Sequence, residues 1–281
     1  MTTGNLYTFG CSMTSYSHPT WADIIGRSYS YFENWARPGA GNQYIFNSII
    51  ECLQRNTLTE NDTIVVMWTT VSRIDYYQFN EWSHLVNAHV TDTQLKNYPI
   101  SCPDGYEILS YAYFAAIEKL LSMSGINYKM ITWTDYDKNC KSGKIYKSIL
   151  DKITEVKFEY NKLEYGKNPT LELKNYYDRL SGTDWPKFED IFSYTQELFS
   201  IDVNLEVLSF LDSIEKNRHL YFRYNDVDPH PRPLQHLKMV EKYFDDIDIS
   251  QDTKDWINDI EYKLINDIKY QFNKSLPEKR L

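Results

Sequence analysis

Between residues 226 and 236 the chain reads Asp226-Val227-Asp228-Pro229-His230-Pro231-Arg232-Pro233-Leu234-Gln235-His236, two carboxylates and two imidazoles in one short stretch. An imidazole beside a carboxylate suits general acid–base work, because the carboxylate can hold one ring tautomer while the other nitrogen handles a proton. The prolines at 229, 231 and 233 exclude a regular helix or central strand, so Asp228 and His230 are expected on a stiff loop. Asp, His and Pro are also common in surface turns, and His236 can simply open the helix that follows. The stretch acquires a chemical meaning only if another part of the chain supplies a partner.

The elements that would position it alternate between strand and helix. Leu6 to Gly10 is a short apolar and β-branched run, predicted as a first strand that delivers the chain to Cys11-Ser12-Met13. Trp21, Ile24 and Ile25 suggest a helix. Tyr31 to Ala36 reads as a second strand, stopped by Arg37-Pro38-Gly39-Ala40-Gly41-Asn42. Tyr44, Ile45, Ile49, Ile50 and Leu53 form a helical stripe with Asn42 placed to cap its first turn. Asp62 to Trp68 is a continuous apolar run of the kind buried on both faces of a parallel sheet, and it ends at Thr69-Thr70. Tyr106 to Ser124 is a predicted helix and Tyr128 to Trp133 a fourth strand. Leu220 to Tyr224 makes a fifth, running straight into the Asp226 to His236 loop. A helix through Leu234, Leu237, Val240 and Phe244 and a final one through Trp256, Ile260, Leu264 and Phe272 close the chain. This alternation predicts an α/β fold, a three-layer α/β/α sandwich around a mostly parallel five-stranded sheet, with ligands gathered at the carboxyl ends of the strands. Ser12, Gly39, Thr69 and Asp228 each follow a predicted strand end.

Residues 1–281 are long enough for one such domain, with insertions at about 74–105 and 135–213, the second a candidate cap or lid. The net charge of -9, with 39 acidic against 30 basic residues, argues against nucleic acid as a ligand. Cys11, Cys52, Cys102 and Cys140 form no C-x-x-C pair and are read as reduced thiols, with no cofactor expected. His84 and His89 are poorly spaced for one helix face, so no metal site is expected there. No stretch has the basic start and apolar run of a secretory signal or the length of a membrane span; a soluble chain is expected, with no membrane partner, and a cytoplasmic setting is not distinguishable from a virion-associated one. The 24 Tyr and 7 Trp would supply stacking surfaces for sugar rings, or equally a tyrosine-rich core.

With these blocks in order, the chain resembles the SGNH, or GDSL-like, hydrolase superfamily, whose members place short motifs at successive strand exits of a flavodoxin-like sheet. Phe9-Gly10-Cys11-Ser12 resembles the nucleophile block, with Cys11 where the family usually has Asp. Asn34-Trp35-Ala36-Arg37-Pro38-Gly39-Ala40-Gly41-Asn42 resembles the second block, whose glycine amide helps form the oxyanion hole. Asp228-Pro229-His230-Pro231 resembles the last block in D-x-H rather than the commoner D-x-x-H spacing, with Asp226 as a second carboxylate. The third block, G-x-N-D, has no counterpart: Trp68-Thr69-Thr70-Val71-Ser72-Arg73 follows strand three, with Thr69 in the glycine register and Thr70 or Ser72 in place of the amide.

The resemblance implies Ser12 as nucleophile, His230 as its base and Asp228 as the group that orients the imidazole. Backbone N–H groups of Ser12 and Gly39, with the side chain of Asn42 or Thr70, would receive the oxyanion. It implies an esterase acting on O-acyl groups, O-acetyl on carbohydrate first among them. Two rivals stay open: acyl transfer to a sugar hydroxyl at the same site, and a binding or structural protein on a degenerate hydrolase fold. Each residue also has a plain alternative. Ser12 could cap the next helix, Gly39 and Gly41 could serve only a tight turn, Asn42 could only cap, and His236 is expected on a helix surface or behind the site.

Overall fold

The continuous apolar run that ends at Trp68 lies, in the computed structural model, on the middle strand of a five-stranded, wholly parallel sheet, Thr63 to Trp68. The described residues are 2–71, 73–78, 81–85, 103–158, 230–265 and 272. Strands β1 (Thr2–Phe9), β2 (Tyr29–Asn34), β3 (Thr63–Trp68), β6 (Asn127–Thr132) and β7 (Thr154–Glu155) lie in the order β2-β1-β3-β6-β7. Counted within this sheet alone, that is the 2-1-3-4-5 order of the flavodoxin-like doubly wound fold, whose strand order reverses between β1 and β3. Strands β4 (Ile74–Gln78) and β5 (Glu81–Leu85) form a separate antiparallel pair with Ile74 opposite Leu85.

Alternation along the strands sorts side chains to two helical layers. Leu6, Val65, Met67 and Ile131 point to one face, where they meet Trp21, Ile24 and Ile25 of α1 (Trp21–Gly26), Leu237, Val240 and the C-cap Phe244 of α6 (Pro233–Tyr243), and Ile257 of α7 (Gln251–Ile265). Tyr7, Phe9, Ile64, Val66 and Trp68 point to the other. There they meet Ile45 and Ile49 of α2 (Asn42–Arg55) and Phe114, Ile117 and Leu121 of α3 (Pro103–Ser124). Trp21 stacks on Phe244 at 5.7 Å between ring centroids, and Trp68 lies 4.5 Å from Phe114. Each aromatic ring truncated to Ala in such a core costs about 3–5 kcal/mol, so both layers are held firmly against the sheet.

Several expected boundaries shift. The second strand, expected over Tyr31 to Ala36, runs Tyr29–Asn34, and Trp35 and Ala36 are buried beyond its end. Part of the 74–105 stretch is the β4–β5 pair. Residues 135–158 contain α4 (Lys141–Ile145), α5 (Lys147–Leu150) and the edge strand β7, and belong to the compact unit that carries the sheet. That unit comprises Met1–Phe158 and Arg232–Leu281; Glu159–Pro231 forms a second. The strand expected over 220–224 lies outside the described residues, as does 266–271 of the last predicted helix. Among the described residues no helix is long and apolar enough to cross a membrane.

Candidate active site

Ser12 leaves β1 at the point where the strand order reverses, and it is only 5% exposed. Its loop is held by backbone. The N–H groups of Thr14 and Ser15 donate to the Cys11 carbonyl at 2.9 and 3.0 Å, and the Thr20 hydroxyl donates to the Thr14 carbonyl at 2.7 Å. Gly10 has no substitute here, because a Cβ would stand 2.1 Å from the Thr14 hydroxyl oxygen. Cys11 is fully buried among the apolar side chains, so it packs where the family pattern has Asp. The plain reading of Ser12 as a helix cap is removed: α1 is capped by Thr20, whose N–H and hydroxyl donate to Asp23 at 2.8 and 2.9 Å.

The segment after β2 is sewn onto this loop. Trp35 N–H donates to the Thr8 carbonyl at 2.8 Å and Arg37 N–H to the Gly10 carbonyl at 3.2 Å. The buried Asn34 amide donates to the Thr14 carbonyl at 2.8 Å and accepts from Ala36 N–H at 3.1 Å. Arg37-Pro38-Gly39-Ala40 then forms a turn closed by Ala40 N–H on the Arg37 carbonyl at 3.1 Å, with Gly39 at φ 82°. Pro followed by a positive-φ Gly is the type II pattern. The turn's own hydrogen bond uses the Ala40 N–H and not that of Gly39. The structure thus brings the Ser12 and Gly39 loops together at the carboxyl edge of the sheet.

Asn42 departs from expectation. The N-cap of α2 is Gly41, and Asn42 is the first helical residue. Its amide donates to the Thr69 carbonyl at 3.0 Å and to the Ser110 hydroxyl at 3.1 Å, and accepts from Thr69 N–H at 3.0 Å. Both of its donor hydrogens therefore serve to pin the exit of β3. Tyr136 OH adds a bond to the same carbonyl at 2.8 Å, and burial keeps that phenol well above its ordinary range and thus a donor. Thr70, the other candidate donor, is half-buried.

His230 is described, half-buried, and falls in the second compact unit; Asp226 and Asp228 lie outside the described residues. Beyond it, Pro233 sits at the first position of α6, where the missing N–H costs nothing, and Arg232 N–H donates to Gln235 Oε1 at 2.7 Å. His236 turns inward rather than onto the helix surface. It is 1% exposed, with its ring 5.0 Å from Phe158 and 6.2 Å from His18. His18 is a residue the motif reading passed over, although it lies six residues beyond Ser12 in the same loop; it is buried, with Nδ1 3.2 Å from the Pro19 carbonyl. Among the described residues no three His, Cys, Asp or Glu side chains gather as a metal ion would require, and His89 lies outside them.

No family model matches the chain. No curated protein matches it either. Among solved structures it is similar to the crystal structure of a member of the lipolytic protein G-D-S-L family from Veillonella parvula, with 12% identity over 76% of this chain and 96% of that one, at a TM-score of 0.30.

Proposed function

We propose that the chain is a serine esterase of the SGNH type that removes O-acyl groups, O-acetyl groups on carbohydrate foremost. In this reading Ser12 Oγ attacks the ester carbonyl carbon as His230 takes its proton, with Asp228 orienting the imidazole. The tetrahedral intermediate collapses, the alcohol leaves with the proton from the imidazolium, and water releases the acyl group from Ser12 by the same steps in reverse. Because Asn42 already spends both donor hydrogens inside the protein, the oxyanion falls to the backbone N–H groups of Ser12 and Gly39, with Thr70 as the remaining side-chain candidate. One such donor contributes about 3 kcal/mol to the transition state.

The observation that carries the reading is the stitching of the Ser12 and Gly39 loops by the Trp35–Thr8, Arg37–Gly10 and Asn34–Thr14 bonds at the reversal of strand order. A backbone so held supports donors that need no rearrangement as charge develops. The test is hydrolysis of a short-chain aryl ester by the wild-type chain and by Ser12→Ala, with thermal midpoints to show that both are folded. Activity confined to the wild type is expected, and equal rates end the esterase reading. Product analysis with a sugar acceptor separates hydrolysis from acyl transfer. The engagement of Asn42 favours a second reading, a binding module on the same fold, which inactivity of a folded wild type would support.

A further inference from the structure

The peptide unit between Ala40 and Gly41 is gripped at both ends by residues just before and on β4. Arg73 Nη1 donates to the Ala40 carbonyl at 3.1 Å, and the Gly41 N–H donates to Asp75 Oδ1 at 2.7 Å. The other carboxylate oxygen of Asp75 accepts from Tyr44 N–H at 2.7 Å. Asp75 is buried, at 6% exposure, and lies more than thirty residues along the chain from the helix it meets. Gly41 offers α2 no capping side chain, so Asp75 supplies across space the acceptor that a Ser or Asp cap would supply locally, and its charge suits a helix start. Gly41 is needed for this approach. A Cβ there would stand 2.8 Å from Asp75 Oδ2 and 2.9 Å from the Arg73 carbonyl oxygen. The hairpin is itself braced against α2, with the Tyr44 ring edge-on to Trp82 of β5 at 5.7 Å.

From this geometry we infer that Asp75, with Arg73, is a positioning residue for the oxyanion hole. The inference rests on the esterase reading and deepens it. The clamped peptide comes one peptide unit after Gly39, so it lies just beyond the turn, with Gly39 at φ 82°, that presents the Gly39 N–H. Bonds to a buried carboxylate are stiffer than neutral ones, so the Ala40–Gly41 plane cannot rotate without losing both partners, and its fixity holds the end of the turn that carries the Gly39 amide. The 74–78 strand is therefore a buttress behind the turn. Asp75 touches no reacting atom. Its effect is transmitted through the backbone.

The experiment is steady-state hydrolysis of a short-chain aryl ester by the full chain and by Asp75→Ala, Asp75→Asn and Gly41→Ala. Inhibition by phenylboronic acid and thermal midpoints are measured on the same samples. In Asp75→Ala, kcat should fall about tenfold to a hundredfold with KM within about twofold of wild type. The inhibition constant of the boronate, which mimics the tetrahedral oxyanion, should rise by the same factor. Asp75→Asn keeps one acceptor oxygen and should recover part of the loss. Gly41→Ala presses on the clamp from the other side, so it should reproduce the pattern and add little to Asp75→Ala. A lost helix cap alone would lower the thermal midpoint and leave kcat and the boronate constant where they were. That result in any folded variant overturns the positioning role and leaves the esterase standing. A wild-type chain without esterase activity overturns both. Should Asp75→Ala not fold, Asp75→Asn and Gly41→Ala decide by the same readouts.

Discussion

Among the described residues, two places that gather nucleophilic side chains are built in opposite ways. At the junction of α3 and α4, Ser142 and Tyr111 spend their donors on the Glu107 carboxylate, and the Cys140 thiol is shared between that carboxylate and the Asp137 carbonyl. Tyr111 OH donates to Glu107 Oε1 at 2.6 Å and Ser142 Oγ to Oε2 at 2.7 Å, while Cys140 Sγ lies 3.0 Å from the Asp137 carbonyl and 3.3 Å from Glu107 Oε1. The Cys140 sulfur also receives Gly143 N–H at 3.1 Å. There the reactive atoms are the fasteners. At the exit of β1 the fasteners are backbone groups and the side chains of Asn34 and Thr20, and among the described residues the Ser12 hydroxyl takes no part in the bonds that hold its loop. A cluster that consumes its own hydroxyls and thiols is a clamp, whereas a fixed backbone around a hydroxyl left to other duties is what nucleophilic catalysis requires.

The contrast breaks or holds first on rate. Ser12→Ala should lower ester hydrolysis by more than about a thousandfold, while Cys140→Ala should leave kcat and KM within about twofold. A large loss from Cys140→Ala would move the chemistry to the wrong cluster. Next comes stability. Glu107→Ala strands the fully buried Tyr111 hydroxyl and should cost about 2 kcal/mol by denaturant titration, with any ester hydrolysis per folded chain retained.

The smallest effect is alkaline. Burial, followed by the hydrogen bond and charge of Glu107, raises the Tyr111 phenol, and burial raises Tyr136 beside Thr69; Tyr7, Tyr113 and Tyr128 are raised as well, desolvation being the first cause in each. Below about pH 10 these phenols are protonated in folded and unfolded chains alike, so they leave stability level. Above it the unfolded chain releases protons that the folded chain keeps, and stability should fall as pH rises. Tyr136→Phe should cost about 1 kcal/mol at neutral pH and flatten part of that alkaline fall. Unfolding midpoints that rise above pH 10 would contradict the sign.

The same two regions differ in how much of them the sequence makes visible. β3 is legible because a strand buried on both faces must be apolar throughout, and the turn before α2 is legible because Pro38-Gly39 dictates its dihedrals. Gly39 lies in that turn, and Ser12 follows β1, whose apolar run is legible in the same way. Asp75 is not legible. Its partners lie on another element, and only the topology shows that a carboxylate on β4 caps α2. The Asn42 side chain misleads for the same reason, since a residue suited to capping is drawn instead to the exit of β3. β7 gives no periodic signal: it has two residues, Thr154 and Glu155, both exposed at the sheet edge. The pairing of β4 with β5 is hidden because Phe79-Asn80 lacks the Asn-Gly or Asp-Gly signature of a tight hairpin.

Ester hydrolysis by the proposed route needs an activated hydroxyl at residue 12 that depends on the imidazole at residue 230. The direct measurement is reaction with a fluorophosphonate, read as intact mass and peptide map, for the wild type, His230→Ala and His18→Ala, each verified as folded. One adduct per chain on the Ser12 peptide is predicted, lost in His230→Ala and kept in His18→Ala. A folded wild type that takes no label, or labelling indifferent to His230, would contradict it.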